Sequence, residues 1–138
     1  MTYAIGRRTM IGAAGAAVLA SAFARNAGAQ ETPKKRKIIA VCCSLRKGKT
    51  TSAALTHCLN AAKEQDADLD TELIELAELN IPAQVALGLP LKPGELDDFP
   101  GVAEKLLDPA VAGLVVGSPV YFGTMSALCK AFLDRCMA

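Results

Sequence analysis

Basic and hydroxyl-bearing side chains are concentrated at residues 44–52, SLRKGKTTS, a stretch that we call the polar loop. An apolar run precedes this loop, and the segment that follows, through about Lys63, has the composition of a helix. The unpaired amides at the start of a helix, together with hydroxyls and an arginine or lysine, favour a bound phosphate. Four side chains of the loop suit that role: Ser44, Arg46, Thr50 and Thr51. These residue types fit both an anion site and an ordinary capped loop.

The glycine spacing of the polar loop differs from that of two common nucleotide-binding motifs. Gly48 is its single glycine, so neither GxxxxGK[ST] nor GxGxxG is present. This argues against nucleotide hydrolysis at a P-loop and against a Rossmann dinucleotide site. The one histidine, His57, has alanines at helical spacing and no carboxylate or nucleophile partner. We therefore assign no catalytic acid or base from the sequence.

A second stretch, residues 117–126, carries two adjacent aromatic rings, and we call it the aromatic loop. It follows an apolar run at 112–116, and its proline interrupts both helix and strand. Gly123 can adopt backbone angles that other residues resist, and Ser126 is predicted to cap the next helix. The loop offers a ligand Pro119, Tyr121 and Phe122, together with backbone amides at the turn.

The helix predicted after Ser126 has an apolar face and a charged face. Its apolar positions recur at helical spacing, at Leu128, Cys129, Phe132 and Leu133. Three charged residues lie opposite them: Lys130, Asp134 and Arg135. We predict that this second set lies on the solvent-exposed face of the helix.

Strand and helix patterns alternate along the chain. The runs at 38–43 and 112–116 are continuously apolar, as in strands covered on both faces, whereas 70–76 alternates like a half-exposed edge strand. Alternating strands and helices imply a parallel sheet with right-handed crossovers. In a doubly wound α/β sheet of order 2-1-3, both loops follow neighbouring strands and meet at the carboxyl edge. A phosphorylated planar ring would fit the crevice between them.

Both loops resemble those of one flavoprotein family. Residues 44–50 are similar to the phosphate loop S-x-R-x-x-x-[ST] of the flavodoxin-like NADPH-dependent FMN reductase family. A second resemblance lies at residues 117–127, which read GSPVYFGTMSA and are followed by KAF and DR. This stretch is similar to the flavin-ring loop and following helix of that family. The resemblance covers about residues 36–135. It implies that Ser44, Arg46 and Thr50 hold the FMN phosphate and that residues 119–123 line the ribityl chain and isoalloxazine.

The same resemblance implies an activity. FMN would accept a hydride from NADPH or NADH, and its electrons would pass to a small acceptor such as a quinone, a free flavin or a metal ion. Two other functions also fit the sequence. The chain could be a flavodoxin-type electron carrier without its own substrate, or a non-catalytic remnant that binds no flavin.

Two features depart from the family pattern. The family fold has five strands, whereas this sequence ends after the helix that follows the third, so strands four and five are expected to be missing. Either the sequence is truncated at its C-terminus, or association into a homo-oligomer supplies the remaining sheet. The iron–sulfur flavoprotein branch carries a compact cysteine cluster before Asp97, but residues 80–96 contain no cysteine, so no cluster is expected.

The five cysteines of the chain show no CxxC spacing. Cys42 and Cys43 are adjacent within a predicted strand, so their side chains should point to opposite faces and cannot easily share a metal. We predict no metal site and no disulfide framework, and expect the cysteines to be small buried apolar residues.

Residues 1–29 have the features of an export signal. Arg7 and Arg8 precede a modest apolar stretch at 10–23, and the small residues 27–29 suit a cleavage site. Paired arginines before a weakly apolar segment resemble a twin-arginine leader. About 14 apolar residues are too few for a stable membrane anchor. We therefore predict a periplasmic or otherwise exported protein whose FMN-binding domain spans residues 30–138.

The charge of that domain gives no argument for nucleic acid as a partner. Residues 30–138 contain 12 basic and 14 acidic side chains, which gives a net charge near −2. The whole chain has six aromatic residues and no tryptophan, so a broad base-stacking surface is not expected either. A small-molecule electron acceptor is the partner predicted instead.

Overall fold

The computed structural model describes residues 35–137, so the predicted export signal lies outside the described residues. None of the helices in the described part is long and apolar enough to cross a membrane. The elements in chain order are β1 (Lys37–Cys42), α1 (Thr50–Gln65), β2 (Asp70–Glu75), two 3₁₀ turns (Leu76–Glu78 and Ala83–Leu87), α2 (Phe99–Leu106), β3 (Val111–Gly117), β4 (Val120–Tyr121), β5 (Thr124–Met125) and α3 (Ala127–Met137).

The three long strands form a parallel sheet of order β2-β1-β3, as predicted. Strand β1 lies in the centre, where Val41 pairs with Ile74 on one side and with Val116 on the other. The expected flavodoxin-like α/β arrangement is therefore confirmed. Residues 120–125, predicted as loop, form a small antiparallel hairpin from β4 and β5.

Strand β1 is continuously apolar because helices cover both of its faces. Ile39, Val41 and Cys43 face one core cluster, to which α2 and α3 contribute buried residues including Phe99 and Phe132. The other face of the strand packs against α1 through Ala40, Cys42, Leu55 and Leu59. The adjacent cysteines therefore face opposite sides of the sheet, as predicted.

The prediction that the cysteines are buried is only partly correct. Cys42, Cys43 and Cys129 are buried, whereas Cys58 and Cys136 are exposed. Burial in an apolar environment raises the pKa of the Cys43 thiol far above its usual value, which suits an inert core residue. Cys58 lies on α1, and Cys136 lies on α3 beside Phe99 and Leu106 of α2.

Strand β3 is less covered than its apolar run predicts. Leu114 is 46% exposed and Val116 is 37% exposed, although both lie on the face that α2 and α3 cover over β1. Among the described residues, β3 pairs only with β1, so its second edge is open. The prediction of two covered faces is wrong here because only one face of β3 is well covered. Helix α1 packs beside Val115 and Gly117, whereas the helices on the opposite face leave Leu114 and Val116 partly exposed.

The prediction for Arg135 is also wrong, because its side chain is buried. Its Nη2 donates to Asp97 Oδ2 at 2.8 Å, and its Nη1 donates to the carbonyl of Pro82 at 3.3 Å. The guanidinium also lies 4.5 Å from the centre of the Phe99 ring. The segment between β2 and α2 passes over this side of α3, so the charged face of the helix is not wholly solvated.

Candidate functional site

The two predicted loops start side by side at the carboxyl edge of the sheet. Cys42 pairs with Gly117, and the amide of Cys43 donates to the carbonyl of Gly117 at 2.8 Å. The polar loop begins one residue after Cys43, and the aromatic loop begins at Gly117 itself. The two loops that the sequence singled out therefore leave neighbouring strands at the same edge of the sheet.

Ser126 links the aromatic loop to β1. Its Oγ donates to the carbonyl of Cys43 at 2.8 Å and accepts the amide of Cys129 at 3.1 Å, which caps α3 as predicted. Its own amide donates to Ser118 Oγ at 2.9 Å. One buried serine thus fixes the end of the aromatic loop, the start of α3 and the residue that directly follows β1.

The polar loop is an exposed turn anchored at its first residue. Ser44 is buried, and its Oγ accepts the amide of Arg46 at 3.2 Å, so the chain turns immediately after β1. The side chains of residues 45–50 are exposed, and Thr51 is half-buried. Arg46 makes no ion pair with any residue of the described range. Its guanidinium is therefore available to an anion.

Helix α1 begins without a side-chain cap. Lys49 occupies the cap position, and no side chain accepts a hydrogen bond from the backbone amides of Thr50, Thr51 or Ser52. The first bond inside the helix runs from Ala53 to the carbonyl of Lys49 at 2.9 Å. The amides of Thr50, Thr51 and Ser52 consequently have no acceptor among residues 35–137. Three free amides at the positive end of a 16-residue helix make a site that favours an anion.

The far side of the polar loop is tied to the end of β2. The amide of Gly48, which has φ +65°, donates to Glu75 Oε1 at 3.0 Å. Lys47 Nζ lies 2.5 Å from Glu78 Oε2. Sequence reasoning missed both carboxylates, although the order 2-1-3 places the end of β2 beside the loop that follows β1.

The aromatic loop presents apolar side chains to solvent. Val120, Tyr121, Phe122 and Met125 are all exposed, and the Phe122 ring makes almost no contact with the rest of the described chain. Positive φ angles at Phe122 (+50°) and Gly123 (+80°) turn the chain between β4 and β5. Pro119 is half-buried at the base of the loop. A flat apolar ligand could bury these side chains together.

The described residues offer no evident catalytic or metal centre. His57 lies on the exposed side of α1. Within 35–137, no cluster of three or more histidine, cysteine, aspartate or glutamate side chains is suitably placed for a metal ion. The arrangement can bind and orient a ligand that has an anionic end and a flat apolar end.

Comparisons with known proteins agree with this arrangement. A family model described as NADPH-dependent FMN reductase matches residues 36–138. The iron-sulfur flavoprotein MJ1083 of Methanocaldococcus jannaschii is 30% identical over an alignment of 102 residues, which covers 72% of this chain and 51% of that protein. The chain therefore spans about half the length of this curated relative.

A solved structure supports the same fold. The apo form of an NADH:FMN oxidoreductase (EMOB) matches 72% of this chain and 49% of its own chain, at a TM-score of 0.52 and 24% identity. At that identity the likeness concerns the fold alone. The family match, however, extends over nearly all of the described residues. The chain belongs to the NADPH-dependent FMN reductase family.

Proposed function

We propose that this chain binds FMN in the crevice between the polar and aromatic loops and acts as an NAD(P)H-dependent oxidoreductase. The observation that supports the proposal is that the loop leading to the free α1 amides and the loop carrying the exposed aromatic hairpin leave adjacent strands at one sheet edge. FMN has a phosphate at one end and a planar ring system at the other, so a single molecule could use both surfaces.

The phosphate end would be held by the polar loop. The free amides of the first turn of α1 supply hydrogen bonds without needing a charged side chain. Arg46 would add a charge-assisted hydrogen bond, and the hydroxyls of Thr50 and Thr51 could donate to further phosphate oxygens. Ser44 Oγ accepts the amide of Arg46 at 3.2 Å and donates to the Arg46 carbonyl at 3.4 Å, so its hydroxyl shapes the turn. Its proton would have to leave that long contact to donate to a phosphate oxygen.

The ring end would be held by the aromatic loop. Tyr121 and its neighbours Val120 and Phe122 would exchange contact with water for contact with the isoalloxazine. Pro119 and Gly123 fix the base and tip of the hairpin, so the loop is shaped before a ligand arrives. When bound, FMN supplies the hydride and electron chemistry, and the residues of this chain bind and orient it.

The redox partners are proposed from the family and from the two relatives. NADPH or NADH would be the donor, and a small molecule such as a quinone, free flavin or metal ion would be the acceptor. The site holds no side chain placed for proton transfer within the described residues, which suits a reaction whose chemistry the cofactor carries.

Flavin titration of the full chain tests the proposal. Arg46→Ala should weaken the binding of FMN by about 1.5–3 kcal/mol, which is the scale of a hydrogen bond to a charged group. Riboflavin, which lacks the phosphate, should bind that variant as it binds the wild type. Tyr121→Ala should weaken both flavins while circular dichroism stays native. Lys63→Ala removes an exposed cation from the far end of α1 and serves as the matched control.

Several outcomes would contradict the proposal. A folded wild-type chain that retains no FMN after desalting would remove it and favour the remnant. Equal losses of FMN and riboflavin in Arg46→Ala would remove the phosphate assignment. A bound flavin that ignores NADPH and NADH and stabilises a semiquinone would favour the electron carrier.

A further inference from the structure

The hydrogen bond from the Gly48 amide to Glu75 connects the polar loop to a carboxylate at the end of β2. We infer that Glu75 is a positioning residue, which holds the polar loop in the shape that leaves the first amides of α1 free for a phosphate. This inference rests on the proposed function. It adds a role for a residue that would itself contact neither the phosphate nor the flavin ring.

Few contacts define the shape of the polar loop. Between Ser44 and the start of α1 the side chains are exposed, so burial contributes little to the order of this segment. Three interactions remain in the described structure. They are the Ser44 turn onto the amide of Arg46, the Gly48–Glu75 hydrogen bond and the Lys47–Glu78 ion pair. The ion pair joins two exposed side chains and contributes little. Glu75 is therefore the principal anchor of the second half of the loop.

The backbone at Gly48 makes this anchor specific. Its φ of +65° lies in the left-handed region, which glycine adopts without steric cost. A Cβ at this position would meet nothing within 4 Å, so the glycine serves the backbone turn and not a close contact. The turn presents the Gly48 amide to the Glu75 carboxylate, and the chain enters α1 two residues later.

Glu75 also interacts with the first turn of α1. Hydrogen bonding from the Ser52 hydroxyl and from the Gly48 amide holds the pKa of the Glu75 carboxyl below its usual value. The carboxylate is therefore ionised at neutral pH and acts only as an acceptor. The Gly48 amide donates to this carboxylate at 3.0 Å and lies one residue before the cap residue Lys49, so Glu75 holds the loop where the helix begins.

The amides of this region divide into two groups. Those of Arg46 and Gly48 have acceptors inside the protein, whereas those of Thr50, Thr51 and Ser52 have none within the described range. Glu75 thus satisfies a loop amide outside the helix and leaves the helical amides free. A negative side chain beside an anion site would otherwise oppose the ligand, so its role must come from the hydrogen bonds it accepts.

Two substitutions at Glu75 separate these effects. Glu75→Gln keeps an oxygen acceptor of the same reach and removes the charge, so FMN affinity should stay within about threefold of the wild type. Glu75→Ala removes the acceptor, and FMN should bind at least tenfold more weakly while riboflavin binds as before. Glu64→Ala, which removes an exposed carboxylate from α1, is the matched control for charge and should change neither flavin. Amide hydrogen exchange at Gly48 should become faster in the alanine variant alone.

The results that would overturn the inference are equally specific. FMN binding to Glu75→Ala as tight as, or tighter than, that of the wild type would show that the carboxylate only repels the phosphate. Equal loss of both flavins would show a general structural role. If the wild type binds neither flavin, the proposed function fails. The exchange rate of the Gly48 amide then decides by itself whether Glu75 positions the polar loop. Faster exchange in the alanine variant but not in the glutamine variant would then support positioning, and unchanged exchange would refute it.

Discussion

Replacing Asp97 with asparagine would leave the guanidinium of Arg135 buried without its counter-ion. The two side chains are 10% and 8% exposed and meet at 2.8 Å. Arg135 also donates to the carbonyl of Pro82, and its guanidinium stacks over Phe99. The substitution keeps the size of the side chain and an oxygen acceptor for the amide of Phe99, which Asp97 Oδ1 accepts at 3.1 Å. The change therefore acts mainly on the charge.

The exposure of the two paired side chains determines how much stability the substitution is expected to cost. Removing one partner of a buried ion pair costs about 3–5 kcal/mol, because the remaining charge stays desolvated. A pair between exposed side chains contributes about 0–1 kcal/mol. Lys130 and Asp134, on the same helix, are 63% and 43% exposed and form such a pair. We expect Asp97→Asn to lower the free energy of unfolding by about 3 kcal/mol and Asp134→Asn by less than about 1 kcal/mol.

Urea unfolding of the full chain, followed by circular dichroism, measures this difference. With a slope of about 1–3 kcal/mol per molar urea, a loss of 3 kcal/mol moves the midpoint by at least about 1 M. Asp97→Asn and Asp134→Asn remove the same charge from pairs of different burial, so they control for net charge. Equal midpoints in the two variants would refute the argument from burial.

The same pair predicts a dependence of stability on pH. Hydrogen bonding from Arg135, and then from the amide of Phe99, holds the pKa of the Asp97 carboxyl below its ordinary value of 3.8. A depressed pKa in the folded state contributes stability that is complete above the unfolded pKa and is lost as pH falls through the folded value. Wild-type stability should therefore fall below about pH 4 in a step that Asp97→Asn lacks. A step of the same size in the variant would assign it to other carboxyls.

Two further substitutions test the edge of the sheet where the loops meet, both by urea unfolding. Ser126→Ala removes the cap of α3 and the donor to the carbonyl of Cys43, so we expect a loss of about 2–3 kcal/mol; a loss below 0.5 kcal/mol would deny that this link matters. Gly117→Ala would place a Cβ 2.8 Å from Leu55 Cδ1 and should cost about 1–3 kcal/mol. Gly113→Ala, whose nearest contact would be 3.7 Å, is its control, and equal losses would contradict the clash.

The sequence predicted the fold because each main element has a local signature. A continuous apolar run indicates a strand with both faces covered, and β1 has helices on each side. The parallel order followed from the alternation of strands and helices. The small hairpin of β4 and β5 was not predicted, because each strand has two residues and its turn depends on a positive φ at Phe122, a non-glycine residue.

The candidate site could be predicted as two loops but not as a network of contacts. Residue types indicated an anion-binding loop and an aromatic loop, and the strand order places the starts of both loops at the same edge of the sheet. Glu75 was missed because an alternating strand pattern shows only that a residue is half-exposed, not which amide it meets. Arg135 was wrongly placed in solvent because the periodicity of one helix carries no information about a distant segment that packs over it.

Strand β3 shows the converse error: its residues were predicted to be buried, but some of them are exposed. Its residues have the pattern of an interior strand, yet Leu114 and Val116 are substantially exposed beside an open edge. The pattern of one strand indicates that its surface is apolar enough to be buried. It does not indicate which other element covers that surface. Helix α1 covers one face of β3, whereas the helices on the other face of the sheet leave Leu114 and Val116 partly exposed. If copies of the chain associate, as predicted from the sequence, we expect the contact at this face and edge of β3, because association there would remove apolar surface from water.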